Sequence, residues 1–310
     1  MTEDRVEGNQ KSGSEASPGA RRPDRKLEDY LEKEAMDRRM SQVKHRILVL
    51  SGKGGVGKST VACYLAISLA RAGRQVGLLD VDIHGPSIPK MLGLEGRPIE
   101  VAENAMLPVS YGENLKVMSM AFLLTNQEDA VIWRGPLKMS AIKQFLKDVE
   151  WGPLDYLITD SPPGTGDEPL SVCQLIPARR GGSVFLDGAV VVTTPQELSL
   201  SDVKKSINFC RKLQMPVLGV IENMSGFICP NCGQETQIFK SGGGEKMAGE
   251  MGVPFLGRIP IDPRIVEVGD VGKSYLETYP DSPGAAAFNK AIQPILDMEK
   301  ETGPSEKKPQ

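Results

Sequence analysis

Apolar residues recur along the chain in two alternating patterns. Short apolar runs typical of buried strands lie at residues 46–50, 75–80, 154–160, 189–193, 217–221 and 254–258, with two shorter candidates near Ile99 and Leu115. Stretches with helical spacing lie between and after them, at residues 61–70, 136–149, 198–213, 242–251 and 284–299. This alternation predicts an α/β fold with a doubly wound, mostly parallel sheet that is flanked by helices.

The N-terminal region lacks this alternation. Residues 1–23 are rich in Gly, Ser, Pro and charged residues, which predicts disorder. Residues 24–43 fit a helix with Leu27 and Leu31 on one side and charges around them. We interpret this helix as a solvated part of an N-terminal arm over residues 1–44, and a docking element is the alternative.

The rest of the chain is expected to form one folded domain over residues 45–298 and a disordered tail over residues 299–310. Its composition limits the partners that these parts are expected to bind. The 310 residues include 37 basic and 40 acidic side chains, and aromatic residues make up 5%. This balance does not favour a nucleic-acid partner or a membrane partner, and no apolar stretch has transmembrane length. The polar N-terminus lacks a signal-peptide core, so we expect a cytoplasmic, reducing location in which the five cysteines form no structural disulfides.

A glycine-rich loop joins the first predicted strand to the first predicted helix. It has the pattern G-x-x-x-x-G-K-[ST] and consists of Gly52, Lys53, Gly54, Gly55, Val56, Gly57, Lys58, Ser59 and Thr60. Glycines let backbone N–H groups turn toward a phosphate, and the following helix adds its positive N-terminus. In such a loop Lys58 reaches the terminal phosphates and Ser59 holds Mg²⁺. A glycine turn with an incidental Lys-Ser pair is the alternative, and the strand–loop–helix context favours nucleotide binding.

Three aspartates follow predicted strands. Asp80 and Asp82 follow the second strand and Asp160 ends the third, so all three are expected at the carboxyl edge of the sheet, where ligands bind. Asp160 is a candidate for holding Mg²⁺ through its water shell, and Asp82 for orienting the attacking water with support from Asp80. Gly164 is a candidate to contact a γ-phosphate through its N–H. The alternative for each aspartate is a helix cap or a turn.

Cys229 and Cys232 form a C-x-x-C pair that is followed by glycine. Thiolates at this spacing bind zinc or an iron–sulfur cluster, and a full site needs four ligands. Cys63, Cys173 and Cys210 lie in helical patterns and are interpreted as core residues. A symmetric dimer would supply the two missing ligands. Spacing alone favours zinc over a cluster, and a redox dithiol or an idle pair are further alternatives.

Several sequence blocks carry a family resemblance. The loop containing both Lys53 and Lys58 resembles the deviant P-loop of the ParA, MinD and nitrogenase-iron-protein class. Further blocks resemble the signatures of the Mrp/ApbC family of P-loop ATPases; they lie at residues 80–89, 160–167, 193–197, 222–225 and 260–264. The resemblance spans about residues 45–295.

The resemblance implies an ATPase that carries iron–sulfur clusters. It implies ATP and Mg²⁺ as cofactors, slow hydrolysis coupled to cluster transfer, and a homodimer that delivers its cluster to apoproteins. Cys229 and Cys232 would bind a [4Fe–4S] cluster at the dimer interface, which reverses the preference for zinc. Asn223 would contact adenine, and Lys53 would reach the nucleotide of the second subunit.

The chain departs from the family pattern in two ways, and other functions compete. The extra domain ahead of the loop in many bacterial members is not expected, and no cysteine precedes Cys63 to match the four-cysteine cluster of some eukaryotic relatives. Partner choice therefore stays open. The alternative function is a MinD- or ParA-like spatial-organising ATPase with a structural zinc knuckle, but residues 299–310 contain no large apolar residue for a membrane helix. An electron-transfer reductase would require cluster cysteines that are well separated in sequence.

Overall fold

The computed structural model describes residues 25–82, 85–102, 105–123, 135–175, 188–229 and 231–302. The disorder predicted for residues 1–23 and for the last eight residues of the tail lies outside the described residues. Among the helices in the described ranges, none is both long and apolar enough to cross a bilayer.

The core of the molecule is a sheet of eight strands. The strands described are β1 (Val43–Ser51), β2 (Val76–Asp80), β3 (Glu100–Ala102), β4 (Ala105–Leu107), β5 (Val109–Tyr111), β6 (Leu115–Ser119), β7 (Leu154–Asp160), β8 (Gly188–Thr193), β9 (Val217–Glu222), β10 (Phe227–Ile228), β11 (Glu235–Thr236) and β12 (Phe255–Arg258). The order in the main sheet is β12-β9-β8-β1-β7-β2-β6-β5. All neighbours in it are parallel except β5 and β6, which are antiparallel. The predicted mostly parallel sheet is therefore confirmed.

Helices cover both faces of this sheet. Those described are α1 (Arg25–Met40), α2 (Lys58–Arg71), α3 (Ile88–Met91), α4 (Gly135–Asp148), α5 (Asp167–Leu175), α6 (Glu197–Lys212), α7 (Gly243–Glu250), α8 (Pro263–Asp270), α9 (Tyr275–Thr278) and α10 (Pro283–Thr302). Strand β1 shows the division, because Ile47 and Val49 pack in one core cluster with α2 and α10 while Leu48 and Leu50 pack in the other with α4. A strand buried on both faces must be apolar at successive positions, which explains the continuous runs in the sequence.

Strand register brings the predicted carboxylates together. Asp80 at the end of β2 is the register partner of Asp160 at the end of β7, and Val49 of β1 is also opposite Asp160. Because β1, β2 and β7 are parallel, their carboxyl ends lie at one edge of the sheet. The glycine-rich loop leaves β1 at this same edge.

The N-terminal helix packs against the domain. Met40 is buried in the core and Met36 is half-buried against the same cluster, whereas Leu27 and Leu31 are more than half exposed. Arg39 donates to the Lys147 carbonyl at the end of α4 at 3.3 Å and pairs with Glu150. The helix was predicted, but its interpretation as a solvated arm was wrong, because its inward face is formed by methionines and not by the two leucines.

A few short elements and one boundary differ from the expectations. The antiparallel edge strand β5, the small hairpin β10–β11 and the short helices α3, α8 and α9 were not predicted. Helix α10 continues to Thr302, so a disordered tail beginning at residue 299 was wrong for its first four residues. Short surface elements bury little apolar area and leave a weak periodic pattern in the sequence.

Candidate nucleotide and metal sites

The glycine-rich loop wraps around the start of α2. Gly55 and Gly57 have positive φ angles of 78° and 80°, a conformation that favours glycine. A Cβ atom on Gly57 would lie 2.2 Å from Asn223 Nδ2, while one on Gly54 or Gly55 would meet nothing within 4 Å. The loop is therefore closely packed on the Asn223 side and open on the side of Gly54 and Gly55, as a cradle for a phosphate requires.

Lys58 lies between a carboxylate that follows β2 and a carboxylate that ends β7. Its Nζ lies 2.6 Å from Asp160 Oδ1 and 3.5 Å from Asp82 Oδ2, and its side chain is 6% exposed. It also donates to Ser59 Oγ at 3.3 Å. The predicted convergence of Lys58, Ser59, Asp82 and Asp160 is therefore observed as geometry.

Asp80 is fully buried behind this group. Ser119 Oγ donates to Asp80 Oδ2 at 2.9 Å, and the Asp82 N–H donates to Asp80 Oδ1 at 3.1 Å. Burial and the neighbouring Asp160 carboxylate raise the pKa of Asp80 to about 8. Burial also raises the pKa of Asp160, although Lys58 opposes this shift. Both shifts show that it is costly to ionise several carboxyls beside a single lysine, and an additional cation would offset this cost.

The donor set at this edge fits a magnesium ion. Asp160 Oδ2 is buried and has no hydrogen-bond partner, so it is a polar atom that a cation or its water shell would satisfy. Carboxylate and hydroxyl oxygens are the ligands that Mg²⁺ takes in nucleotide sites. Asp160 and Ser59 are therefore the residues that would hold the ion, which would neutralise phosphate charge when bound.

The other predicted nucleotide residues lie around this centre. The Lys53 side chain is half-buried in the loop, and its carbonyl accepts from Ser51 Oγ at 2.9 Å. Gly164 has a φ of 97°, and its N–H donates to the Ser51 carbonyl at 2.8 Å. Because this N–H is already bonded to the end of β1, it could donate to a γ-phosphate only if its hydrogen bond to Ser51 broke. Asn223 Nδ2 donates to the Val56 carbonyl at 2.9 Å, which ties Asn223 to the loop.

The two cysteines of the C-x-x-C pair lie on the connection between β10 and β11. The Cys229 N–H donates to the Gln234 carbonyl at 3.0 Å and the Gly233 N–H to the Cys229 carbonyl at 2.8 Å, so the turn is closed by its own backbone. The backbone N–H groups of Cys232 and Asn231 hold the pKa of the Cys229 thiol below its ordinary value. A lowered pKa favours the thiolate, which is the form that binds metals.

The other three cysteines differ from Cys229 in burial and in thiol pKa. Cys63, Cys173 and Cys210 are buried, and burial raises the pKa of Cys173 to about 12 and that of Cys210 to about 11. Burial also raises the pKa of Cys63, to a still higher value. Their prediction as core residues is confirmed. Within the described ranges, no three His, Cys, Asp or Glu side chains are grouped so that they could hold a metal ion.

A cavity of about 470 Å³ adjoins the cysteine turn. Cys229 and Gly233 line one side, and Pro260, Arg264 and Tyr279 line the other. The Arg264 guanidinium lies 4.8 Å from the centre of the Tyr279 ring. Cys229 therefore opens on a concave surface that could admit more than a single ion.

Sequence reasoning gave no role to some polar residues beside these sites, although Glu222 lies in the block at residues 222–225. Ser119 ends β6 and contacts Asp80, and Glu222 ends β9 and is fully buried. Both share the signal by which Asp160 was found, a polar residue that ends an apolar strand. Asp202 of α6 was also given no role. Its backbone lies so close to Gly52 that a Cβ atom added to Gly52 would be 2.5 Å from the Asp202 carbonyl carbon.

Several solved structures are similar to this chain in fold. A nucleotide-binding protein from Archaeoglobus fulgidus, in complex with ADP and with cobalt found in it, is 41% identical with a TM-score of 0.69, and the match covers 82% of this chain and 95% of that one. The septum site-determining protein MinD from Pyrococcus horikoshii, complexed with Mg-ADP, is 25% identical with a TM-score of 0.60, covering 83% and 98%. The MinD cell division protein from Aquifex aeolicus is 21% identical with a TM-score of 0.58, covering 82% and 97%, and shares the fold.

The family assignment rests on a match over most of the chain. The ParA family model, described as NUBPL iron-transfer P-loop NTPase, matches residues 42–296. This range includes the glycine-rich loop, the three aspartates and both cysteines of the C-x-x-C pair. The chain therefore belongs to the iron-transfer P-loop NTPases of the NUBPL type, the Mrp/ApbC type that its sequence blocks resemble.

Proposed function

We propose that this protein is an ATP-hydrolysing carrier that binds a [4Fe–4S] cluster between two subunits and transfers it to apoproteins. The observation that carries the proposal is that one chain combines a glycine-rich loop beside a lysine–carboxylate cluster with a turn that offers two thiols. Cys229 has a lowered thiol pKa and opens on a cavity, but the turn supplies only two thiolates. A second copy would supply the other two on a two-fold axis.

The nucleotide half of the proposal assigns a role to each charged residue. Lys58 would exchange Asp160 for the terminal phosphates when nucleotide binds, and Asp160 with Ser59 would hold Mg²⁺. Asp82, 3.5 Å from Lys58 Nζ, would orient the attacking water. Lys53 would reach the nucleotide of the second copy, which makes hydrolysis depend on the dimer. The ADP of the A. fulgidus relative and the Mg-ADP of the P. horikoshii protein support this half.

The cluster is cargo in this proposal, and the cysteine turn is built to hold and release it. Thiolates ligate iron–sulfur clusters, and partial exposure gives an acceptor protein access to them. Cys232 is exposed and Cys229 is half-buried, so a bound cluster would lie at the surface. The cobalt found in the A. fulgidus relative is consistent with a metal site in the family. Client apoproteins and a cytoplasmic location remain part of the proposal.

Iron analysis after anaerobic reconstitution tests the proposal. The wild-type chain should bind about four irons per dimer, with sulfide-to-iron and thiolate-to-iron absorbance. Cys229→Ser should lose this iron and its absorbance while binding ADP normally, because the nucleotide contacts lie elsewhere. Cys210→Ser is the matched control, since its thiol is buried, and it should keep full iron content.

Three results would contradict the proposal. Binding of zinc alone under iron-rich conditions would favour the alternative, a MinD- or ParA-like ATPase with a structural zinc knuckle. A full four-iron cluster on a stable monomer would exclude the bridging arrangement. A cluster that survives in Cys229→Ser would show that other ligands hold it.

A further inference from the structure

Glu222 is a buried carboxylate with no role in the sites described so far. It ends β9, and its side chain accepts backbone N–H groups from the start of α7: Gly242 N lies 2.8 Å from Oε1, and Gly244 N contacts Oε2. Ser225 Oγ donates to Oε1 at 2.5 Å. A buried polar group is costly unless it is hydrogen-bonded, and the N–H groups at the start of α7 supply those bonds here.

These contacts fix both ends of the segment that carries the cysteines. We call residues 226–241 the cysteine loop, which contains Cys229 and Cys232. Ser225 precedes it and Gly242 follows it, and both donate to the same oxygen of Glu222. Ser225 Oγ also lies 3.1 Å from Ser241 Oγ across the base of the loop. Glu222 therefore holds the two ends of the loop together.

The residue after Glu222 contacts the phosphate cradle. Asn223 Nδ2 donates to the Val56 carbonyl at 2.9 Å, and its contact with Gly57 leaves no room for even a Cβ atom. Met224, which follows, has a φ of 57°, a conformation that is uncommon for residues other than glycine. Four consecutive residues thus connect the nucleotide loop to the base of the cysteine loop. Closely packed contacts transmit a displacement instead of absorbing it.

We infer that Glu222 is a positioning residue that couples nucleotide binding to the metal affinity of the cysteine loop; this inference rests on the proposed function. A shift of Val56 on nucleotide binding moves Asn223, and Glu222 and Ser225 pass the movement to the loop. By linkage, the factor by which ADP changes metal affinity equals the factor by which metal changes ADP affinity. A purely structural residue would alter stability without altering that factor.

Cobalt titration of the full-length chain measures the coupling. Co²⁺ bound to thiolates absorbs light, so its dissociation constant is read directly, with and without saturating Mg-ADP. For the wild type we expect the two constants to differ by about fivefold or more. Glu222→Gln removes one acceptor oxygen at constant volume, and Ser225→Ala removes the donor at the start of the loop. Both should bind cobalt and ADP with a ratio of the two constants below about twofold.

The control and the contradicting outcomes separate this inference from the proposed function. Glu245→Gln alters an α7 carboxylate that is exposed and paired with Arg258, and it should keep the wild-type ratio. An unchanged ratio in Ser225→Ala, or no effect of ADP in the wild type, would overturn the coupling and leave the metal site standing. Ser225→Ala decides the matter if Glu222→Gln does not fold. If the wild type shows no thiolate–cobalt absorbance, the metal site is rejected and the coupling with it.

Discussion

Gly57 shows how one residue links the loop conformation to a neighbouring side chain. Its positive φ and the 2.2 Å approach of Asn223 Nδ2 to its Cβ position both exclude a side chain. Gly57→Ala should lower the free energy of unfolding by at least about 1–2 kcal/mol from the left-handed backbone alone, and should weaken ADP binding. Urea denaturation of the nucleotide-free protein measures the first effect and calorimetric titration the second.

Gly54→Ala is the matched control for the stability measurement. Gly54 lies in the same loop but has open space around its Cβ position and no positive φ. Its urea midpoint should stay at the wild-type value. Equal loss of stability in both variants would mean that neither the left-handed backbone nor the Asn223 contact of Gly57 explains the requirement for glycine.

Asp82 has a different role from Lys58 in the proposed reaction, so substitutions of the two residues should affect ATP binding and ATP hydrolysis differently. Asp82→Asn should slow ATP hydrolysis by about 10²-fold and leave ATP affinity largely unchanged, because orienting water is needed only in turnover. Lys58→Ala should lose both binding and hydrolysis, because the loop loses its charge for the phosphates. Steady-state hydrolysis and equilibrium binding measure the two effects. Parallel losses in Asp82→Asn would place this residue in the Mg²⁺ site or in folding.

Individual site residues could be predicted where a short stretch of sequence encodes their chemistry. The loop and Asp160 were found because their chemistry is encoded in consecutive residues and in the end of an apolar strand. Glu222 and Ser119 carry the same strand-end signal but were given no role, because their partners are backbone N–H groups and another carboxylate, which no short motif encodes. The hydrogen bond from the Gly164 N–H to the Ser51 carbonyl could not be predicted either, because it depends on how the segment after β7 packs against the end of β1.

At the scale of elements, the central strands were predicted and the docking of α1 was not. The central strands are buried on both faces, so their sequences are continuous apolar runs. Helix α1 buries one narrow face, with Met36 and Met40 four residues apart, and charged residues dominate its sequence. Helical spacing could locate the helix, but only tertiary contacts with α4 show which face is buried.

The docked helix should contribute measurable stability. Met40→Ala removes a side chain that is 2% exposed, and such core truncations cost about 2–5 kcal/mol. Leu31→Ala on the same helix removes a side chain that is 53% exposed and should change stability by less than about 0.5 kcal/mol. Urea denaturation compares the two. Equal effects would restore the interpretation of α1 as a solvated arm.

At the scale of the whole molecule, the nucleotide site and the cysteine turn differ in completeness. The nucleotide site brings residues from β1, β2 and β7 together within one chain. The cysteine turn offers two thiolates, and the described residues contain no further group to complete a metal site. Because one copy offers only half of a metal site, we expect the protein to change its oligomeric state when it takes up its cargo.

Sedimentation velocity under anaerobic conditions should reveal that change. Without nucleotide, the metal-free chain should sediment as a monomer and the cluster-loaded chain at twice its mass, because two thiolates from each copy are needed to fill the site. Removing the cluster with a chelator should return the monomer. Cys232→Ser should remain a monomer after the same reconstitution, and Cys173→Ser, whose thiol is buried, should dimerise as the wild type does. A metal-free chain that dimerises as fully as the loaded one would show that protein contacts alone hold the subunits together, and that the cluster does not bridge them.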